Sequence, residues 1–292
     1  MKLSVAVRGM AALVMLAGVC VAQSASPAAS PATKKSGNFF NKWEDRVRAT
    51  SAKQPTWPVP VISGTPQITQ LFRTDFVRQY TAAHTTTWNY DGGKGFNFIP
   101  YDNLEVDVNL PAYFQRNNPK VLDGAGDFSM AVKFRPFSGN EKHHNYSTAF
   151  QLTATGATGS YKNGVAKTTF TPTVLAGKGF GRFNVLSTLG ATMPTGSVQT
   201  IGRTITWNTV AQYKVGKIFW PELEVNSNFY HLGPNDGKNQ TFISPGLMVS
   251  KIKLRKNPKD RLGLVFGVGF QIATSSFHAY NHALVLTTRI TF

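Results

Sequence analysis

Asp127, Lys133 and Arg135 stand at even spacings, as do Glu222 and Glu224, and in an extended chain even spacing puts side chains on one face. A face carrying both signs of charge can hold a transverse field across a wet passage and sort polar solutes; the same residues can also tie a narrow structure together as a ladder of ion pairs. Arg203 is a further candidate for such a wall. Hydrolytic chemistry would need a nucleophile beside a base that a third polar group orients. Ser275 and Ser276 with His278, and Ser147 near His144, are the pairings on offer. Neither carries a recognisable motif or a third member, so no catalytic residue is assigned. His143-His144, and His278 with His282, are poor metal ligands, because adjacent residues rarely share one ion and a spacing of four needs a helix. No metal and no cofactor is therefore expected. Gly177-Lys-Gly179-Phe-Gly181 lacks the helix that follows a phosphate loop and reads as a hairpin turn.

The elements that position these charges are strands. His282 to Phe292 alternates, with Leu284, Leu286, Ile290 and Phe292 on one face and Thr287 and Arg289 on the other, which fits a lipid side and a lumen side. Arg261 to Ala273 places Leu262, Leu264, Phe266, Val268, Phe270 and Ile272 opposite Gly263, Val265, Gly267, Gly269 and Gln271, a period no amphipathic helix has. Gln240–Arg255, Ile218–Leu232, Arg203–Val215, Phe183–Met193, Lys167–Ala176, Ser147–Thr155, Asp127–Phe137 and Asn103–Tyr113 follow suit, with weaker segments at Thr69–Tyr80 and Thr85–Phe98. About twelve strands result, with ten or fourteen as alternatives, and the fold class is an antiparallel transmembrane β-barrel of the bacterial outer membrane. Mean hydropathy is −0.18 and no apolar stretch after the leader reaches membrane-helix length, so a helical bundle is excluded.

Lys2 and Arg8 precede an apolar run from Met10 to Val21 and the small-residue site Cys20-Val21-Ala22, a secretory signal peptide over residues 1–22. Its removal takes away the single cysteine. Residues 23–66 are expected to form a flexible arm, Ala/Ser/Pro-rich over Gln23–Ala32 and Pro-rich over Pro55–Pro66. Within it Phe39, Phe40, Trp43 and Val47 fall at helical spacing, giving one amphipathic helix near 39–49. The arm is expected to cap one barrel rim from the periplasm, with a lumen plug and a membrane-surface helix as alternatives. The barrel is expected over 67–292. With both termini in the periplasm, 177–182, 216–217 and 256–260 are the periplasmic turns, and 115–125, 156–166, 195–202, 233–239 and 275–281 are the extracellular loops.

Gly124-Ala-Gly126-Asp127, Lys133-Phe-Arg135 at the end of the same strand, and Pro194-Thr195-Gly196 after an apolar strand together resemble the outer-membrane proteins associated with the meta-pathway of phenol degradation. The resemblance covers the middle and C-terminal part of the barrel. It implies an outer-membrane barrel of transporter or porin type that admits hydrophobic or aromatic compounds. Gly124, Gly126, Pro194, Thr195 and Gly196 then serve backbone geometry in turns and at strand ends. A final strand ending on Phe292, with Leu286 and Ile290 on the same face, also resembles the signal that barrel-assembly machinery recognises.

The formal net charge is +17, from 31 Lys and Arg against 14 Asp and Glu, and the leader accounts for two of those charges. The basic residues are scattered and match no nucleic-acid motif, so the expected partners are outer-membrane lipids, lipopolysaccharide phosphates, the assembly machinery and a small solute, with the oligomeric state open. A channel with Asp127, Lys133, Arg135, Arg203, Glu222 and Glu224 on its wall is the leading function. A structural or adhesive barrel and a lipid-modifying enzyme are the alternatives.

Overall fold

The computed structural model describes residues 39–118, 120–256 and 261–292. The signal peptide and the Ala/Ser/Pro tract lie outside the described residues, as does most of the turn expected at 256–260. From Trp43 to Phe292 the chain forms one compact unit.

Fifteen hydrogen-bonded segments compose twelve barrel strands. They are β1 (Leu71–Tyr80), β2 (Thr86–Asp91, resuming as Gly95–Tyr101), β3 (Leu104–Asn109, resuming as Tyr113–Arg116), β4 (Gly124–Ala125, resuming as Ser129–Gly139) and β5 (Tyr146–Thr155). There follow β6 (Thr169–Phe180), β7 (Phe183–Pro194), β8 (Arg203–Tyr213), β9 (Phe219–His231), β10 (Asn239–Lys253), β11 (Gly263–Ala273) and β12 (His282–Thr291). Neighbours pair antiparallel, and β12 closes on β1 from Leu71 opposite Thr291 to Tyr80 opposite His282. Closure leaves no edge strand, so backbone N–H and C=O groups are paired inside the wall, as a lipid environment requires. The expected architecture and strand number are both present.

Alternation sets the two faces. On β11, Phe266, Val268, Phe270 and Ile272 point outward at 41–43% exposure, while Val265 and Gln271 are buried inward. On β12, Leu286, Ile290 and Phe292 point outward, and Ala283, Val285, Thr287 and Arg289 point in. The inward face carries far more Thr, Asn, Gln and Gly than the outward one, which fits a hydrated interior.

Three adjacent strands break at neighbouring positions: β2 at 92–94, β3 at 110–112 and β4 at 126–128. The breaks are stitched by Leu110 N–H to Lys94 C=O at 2.8 Å and Gly126 N–H to Ala112 C=O at 2.7 Å. Pro111 in the β3 break has no N–H to give a ladder.

Helix α1 (Phe39–Ala52) is three residues longer than expected. From Trp43 onward it lies at the barrel end that carries Phe292: the Trp43 indole N–H donates to Gln70 Oε1 at 2.6 Å, Arg46 reaches the Pro100 carbonyl, and Val47 packs on Ile68 and Ile99. That part behaves as a rim cap. The Pro-rich stretch after it does not, because residues 53–70 enter the lumen before β1 begins at Leu71. The expected arm at the rim is thereby corrected: a run with Trp57, Val59, Val61 and Ile62 is too apolar for water and finds cover inside. The Gly-rich hairpin expected over 177–181 is also corrected. Gly177 and Gly179 belong to β6, and the turn is Gly181-Arg182.

Candidate functional site

The site is the lumen and the segment inside it. An irregular chain buried in a barrel presents backbone groups that no ladder satisfies, each costing about 1–3 kcal/mol if left unpaired. Here Pro55, Pro58, Pro60 and Pro66 remove donors outright, and wall side chains meet the groups that remain. Glu222 accepts from Val61 N–H at 2.7 Å. Glu224 accepts from Ile62 N–H at 2.8 Å, and from Ser63 N–H at 2.9 Å and its hydroxyl. Arginines serve the carbonyls: Arg289 donates to Val59 and Pro60, and Arg73 to Val61. Gln212 donates to the Pro58 carbonyl at 3.3 Å, Ser147 to Pro66 at 3.0 Å and Lys133 to Gln67 at 3.4 Å. Thr69 N–H meets Glu105.

Apolar packing fixes the same segment. Trp57 and Val61 are buried with Leu186, Val210, Trp220 and Met248 of the wall. A Cβ on Gly177 would stand 2.8 Å from the Trp57 ring, so glycine makes the room for that indole. At the segment's entry, Thr56 donates to Glu141 Oε1 from its N–H at 2.8 Å and its hydroxyl at 2.6 Å. Burial pushes the Glu141 carboxyl up, but these two hydrogen bonds outweigh it and hold the group below its ordinary range.

The six expected wall residues divide. Glu222, Glu224, Lys133 and Arg135 point inward and are at most 6% exposed. They grip the segment and its surroundings rather than framing an open hole: Arg135 reaches Gln54 and Asn103, and Lys133 pairs with Glu105. Asp127 does not join them. It sits at the β4 break and accepts N–H groups of Thr158 at 2.9 Å, Gly159 at 2.8 Å and Val165, clamping the loop at 156–168. Arg203 shares the outward face of Ile205 and Trp207 and is exposed, so its expected place on the lumen wall is corrected by strand parity. Of the motif glycines, Gly124 lies in the short first part of β4 and Gly126 in its break; Pro194 ends β7, and Thr195 and Gly196 lie in the loop that follows. Arg73, Glu105, Gln54 and Trp57 were missed by sequence reading.

No protein-family model matches the chain, and no curated protein matches it. Among solved structures it is similar to an outer membrane channel from Pseudomonas putida F1, at 13% identity over 82% of this chain and 98% of that one, with a TM-score of 0.52. It is also similar to the NanC porin, at 9% identity over 75% of this chain and 98% of that one, with a TM-score of 0.48. The first likeness shows a shared fold, a closed antiparallel β-barrel.

Beyond the segment, toward the long loops, the inward face is neutral and polar. Gln151, Thr153, Thr171, Thr188, Asn208, Asn226, Asn228 and Ser244 alternate along β5–β10, with hydrogen bonds such as Thr206 to Asn228 at 2.7 Å. The loop between β11 and β12 leans on this region: Tyr280 stacks on inward-facing Phe242 with ring centroids 4.6 Å apart and donates to Gln271 at 3.0 Å. His278 is held by the Ser275 carbonyl at 2.8 Å and by Asn281 at 3.0 Å, so its ring braces the loop instead of activating the Ser275 hydroxyl, which donates to the Phe277 carbonyl.

Proposed function

We propose that the protein is a bacterial outer-membrane channel for small polar solutes whose lumen is closed by its own residues 53–70. The observation that carries this reading is the grip of wall carboxylates and arginines on that segment's backbone. The clamp groups are polar and water-compatible, so solvent and solute can take their place on the wall when the segment leaves, at the cost of uncovering the apolar patch around Trp57 and Val61. Hydroxyls and amides line the approach. Apolar or aromatic compounds, the cargo implied by the family resemblance, would have to cross that wall, and polar solutes are the better match.

In this reading the chain reaches the periplasm by its leader, and the outward row Leu286, Ile290 and Phe292 meets the assembly machinery. The apolar belt faces outer-membrane lipid and lipopolysaccharide. The role is non-catalytic.

A second reading, a permanently closed structural barrel, draws on the buried pairs Arg73–Asp75 and Lys133–Glu105. Planar-bilayer recording separates the two. The full chain is expected to give small or infrequent conductance steps, and Glu222→Gln with Glu224→Gln in one variant is expected to give larger and longer ones. Equal conductance in a variant whose segment has lost its hydrogen-exchange protection would overturn the gate and leave the structural barrel.

A further inference from the structure

Between the segment and the broken arc of the wall lies a cavity of about 150 Å³, lined by Arg73, Lys94, Lys133 and Arg289 beside Asn97 and Asp107. The lining itself carries four cations and one carboxylate, Asp107. Arg73 pairs with Asp75 at 2.7 Å, and Lys133 with Glu105. Arg289 has no carboxylate within ion-pairing distance among the described residues; two of its nitrogens donate to the Val59 and Pro60 carbonyls, and its buried Nε has no partner there. The half-buried Lys94 ammonium makes no hydrogen bond or ion pair among the described residues. The acid on this wall, Asp107, accepts from Asn97. Glu222 and Glu224 bind the segment's N–H groups at Val61, Ile62 and Ser63, so their oxygens are already engaged.

Lys94 reaches this place because β2 breaks there. Gly92 and Gly93 both take φ +66°, a conformation that turns the chain out of its ladder and that side-chain-bearing residues rarely adopt. The break thus adds a cation to a wall that regular pairing would have left to Asn and Gly.

We propose that this cavity binds a small oxyanion, a carboxylate or phosphate group, between the Lys94 ammonium and the Arg289 guanidinium. Two cations with unmet donors in a partly dry site are each costly to hold, and charge-assisted hydrogen bonds to an oxyanion satisfy both at once. The volume matches that of engineered cavities that admit benzene, which is room for acetate or phosphate. The inference deepens the channel reading by naming the solute's charge, and it rests on that reading only for the solute's onward passage.

The test uses the full chain folded in detergent micelles, titrated with sodium acetate and separately with sodium phosphate, with ionic strength held constant by sodium chloride. Binding is read by calorimetry and by the thermal midpoint. Saturable binding of one or both anions is expected, weakened about tenfold in Lys94→Gln and restored in Lys94→Arg. Lys94 lies outside the ladder, and circular dichroism checks that each variant keeps its strands. Absence of saturable binding by either anion in the unmodified chain overturns the proposal, and so does a Lys94→Gln variant that binds as tightly as the parent. Bilayer recording of the same samples tests the channel separately. An anion-favouring reversal potential that Lys94→Gln weakens supports both readings, a cation-favouring one overturns the anion site, and silence with binding intact removes the channel and leaves the site.

Discussion

The barrel wall is built in two manners. From Tyr146 to Thr291, β5–β12 run as continuous strands whose ladders slip once, between Val249 and Ile252. From Thr86 to Gly139, β2–β4 each break, side by side. The continuous arc holds the segment: Glu222, Glu224, Gln212, Ser147 and Arg289 all project from it at strand-regular positions. The broken arc contributes less to that grip and more to the cavity, through Lys94, Asn97 and Asp107. Regular strands place donors and acceptors at fixed spacing, which suits a clamp on a peptide. Broken strands release single residues from that spacing, which suits a site with an unusual charge.

The contrast is broken most severely by removing the apolar anchor on the continuous side. Trp57→Ala is expected to cost about 3–5 kcal/mol of segment docking, the range for deleting a buried aromatic. Exchange protection should fall over residues 54–70 and bilayer steps should grow, with β5–β12 protection intact. Uniform loss of protection would mean that the segment and the wall form one cooperative unit. Next comes Glu224→Gln, which keeps one acceptor and turns an amide toward Ile62 or Ser63. A loss of about 1–3 kcal/mol is expected from the unmet N–H groups, read as a lower denaturant midpoint for exchange of those two amides.

On the broken side, Asp127→Asn should release the loop at 156–168, because one carboxylate there accepts three N–H groups. About 1–2 kcal/mol is expected, confined to that loop and the β4 break. The measurement is limited proteolysis at residues 156–168, and unchanged cleavage would show that the loop is held elsewhere.

The same two arcs explain what the sequence conveyed. In β5–β12 an unbroken period of two reports both the strand and the face, so Glu222 and Glu224 read as inward, and the outward row of β12 reads directly. Parity carries no information across a break. Asp127 stands an even number of residues from Lys133, yet the chain leaves the ladder at 126–128 between Ala125 and Ser129, and the two side chains serve different places. Arg203 is a different case, since its parity with Ile205 and Trp207 already pointed outward. The segment was illegible because it has no period. Its partners lie far off in sequence, 161 positions from Val61 to Glu222, and the clue was compositional: an apolar, proline-rich run too greasy for a linker.

The smallest expected effect concerns the loop that leans on the polar end of the continuous arc. Burial pushes the Tyr280 hydroxyl up to about 12, against an ordinary 10, with hydrogen bonds to Gln79 and Gln271 pulling partly the other way. A raised value in the folded protein means that the neutral ring stabilises the loop fully below pH 10, and that this contribution fades as pH climbs toward 12. Tyr280→Phe removes the titration and the bond to Gln271, at about 1 kcal/mol, while keeping the stack on Phe242. An ultraviolet titration should therefore show a tyrosine ionising near pH 12 in the parent that is missing from the variant. If the variant keeps that late phase, the loop does not seat Tyr280 on the wall, and the polar end of the lumen stands more open than the segment-filled end by one further aromatic ring.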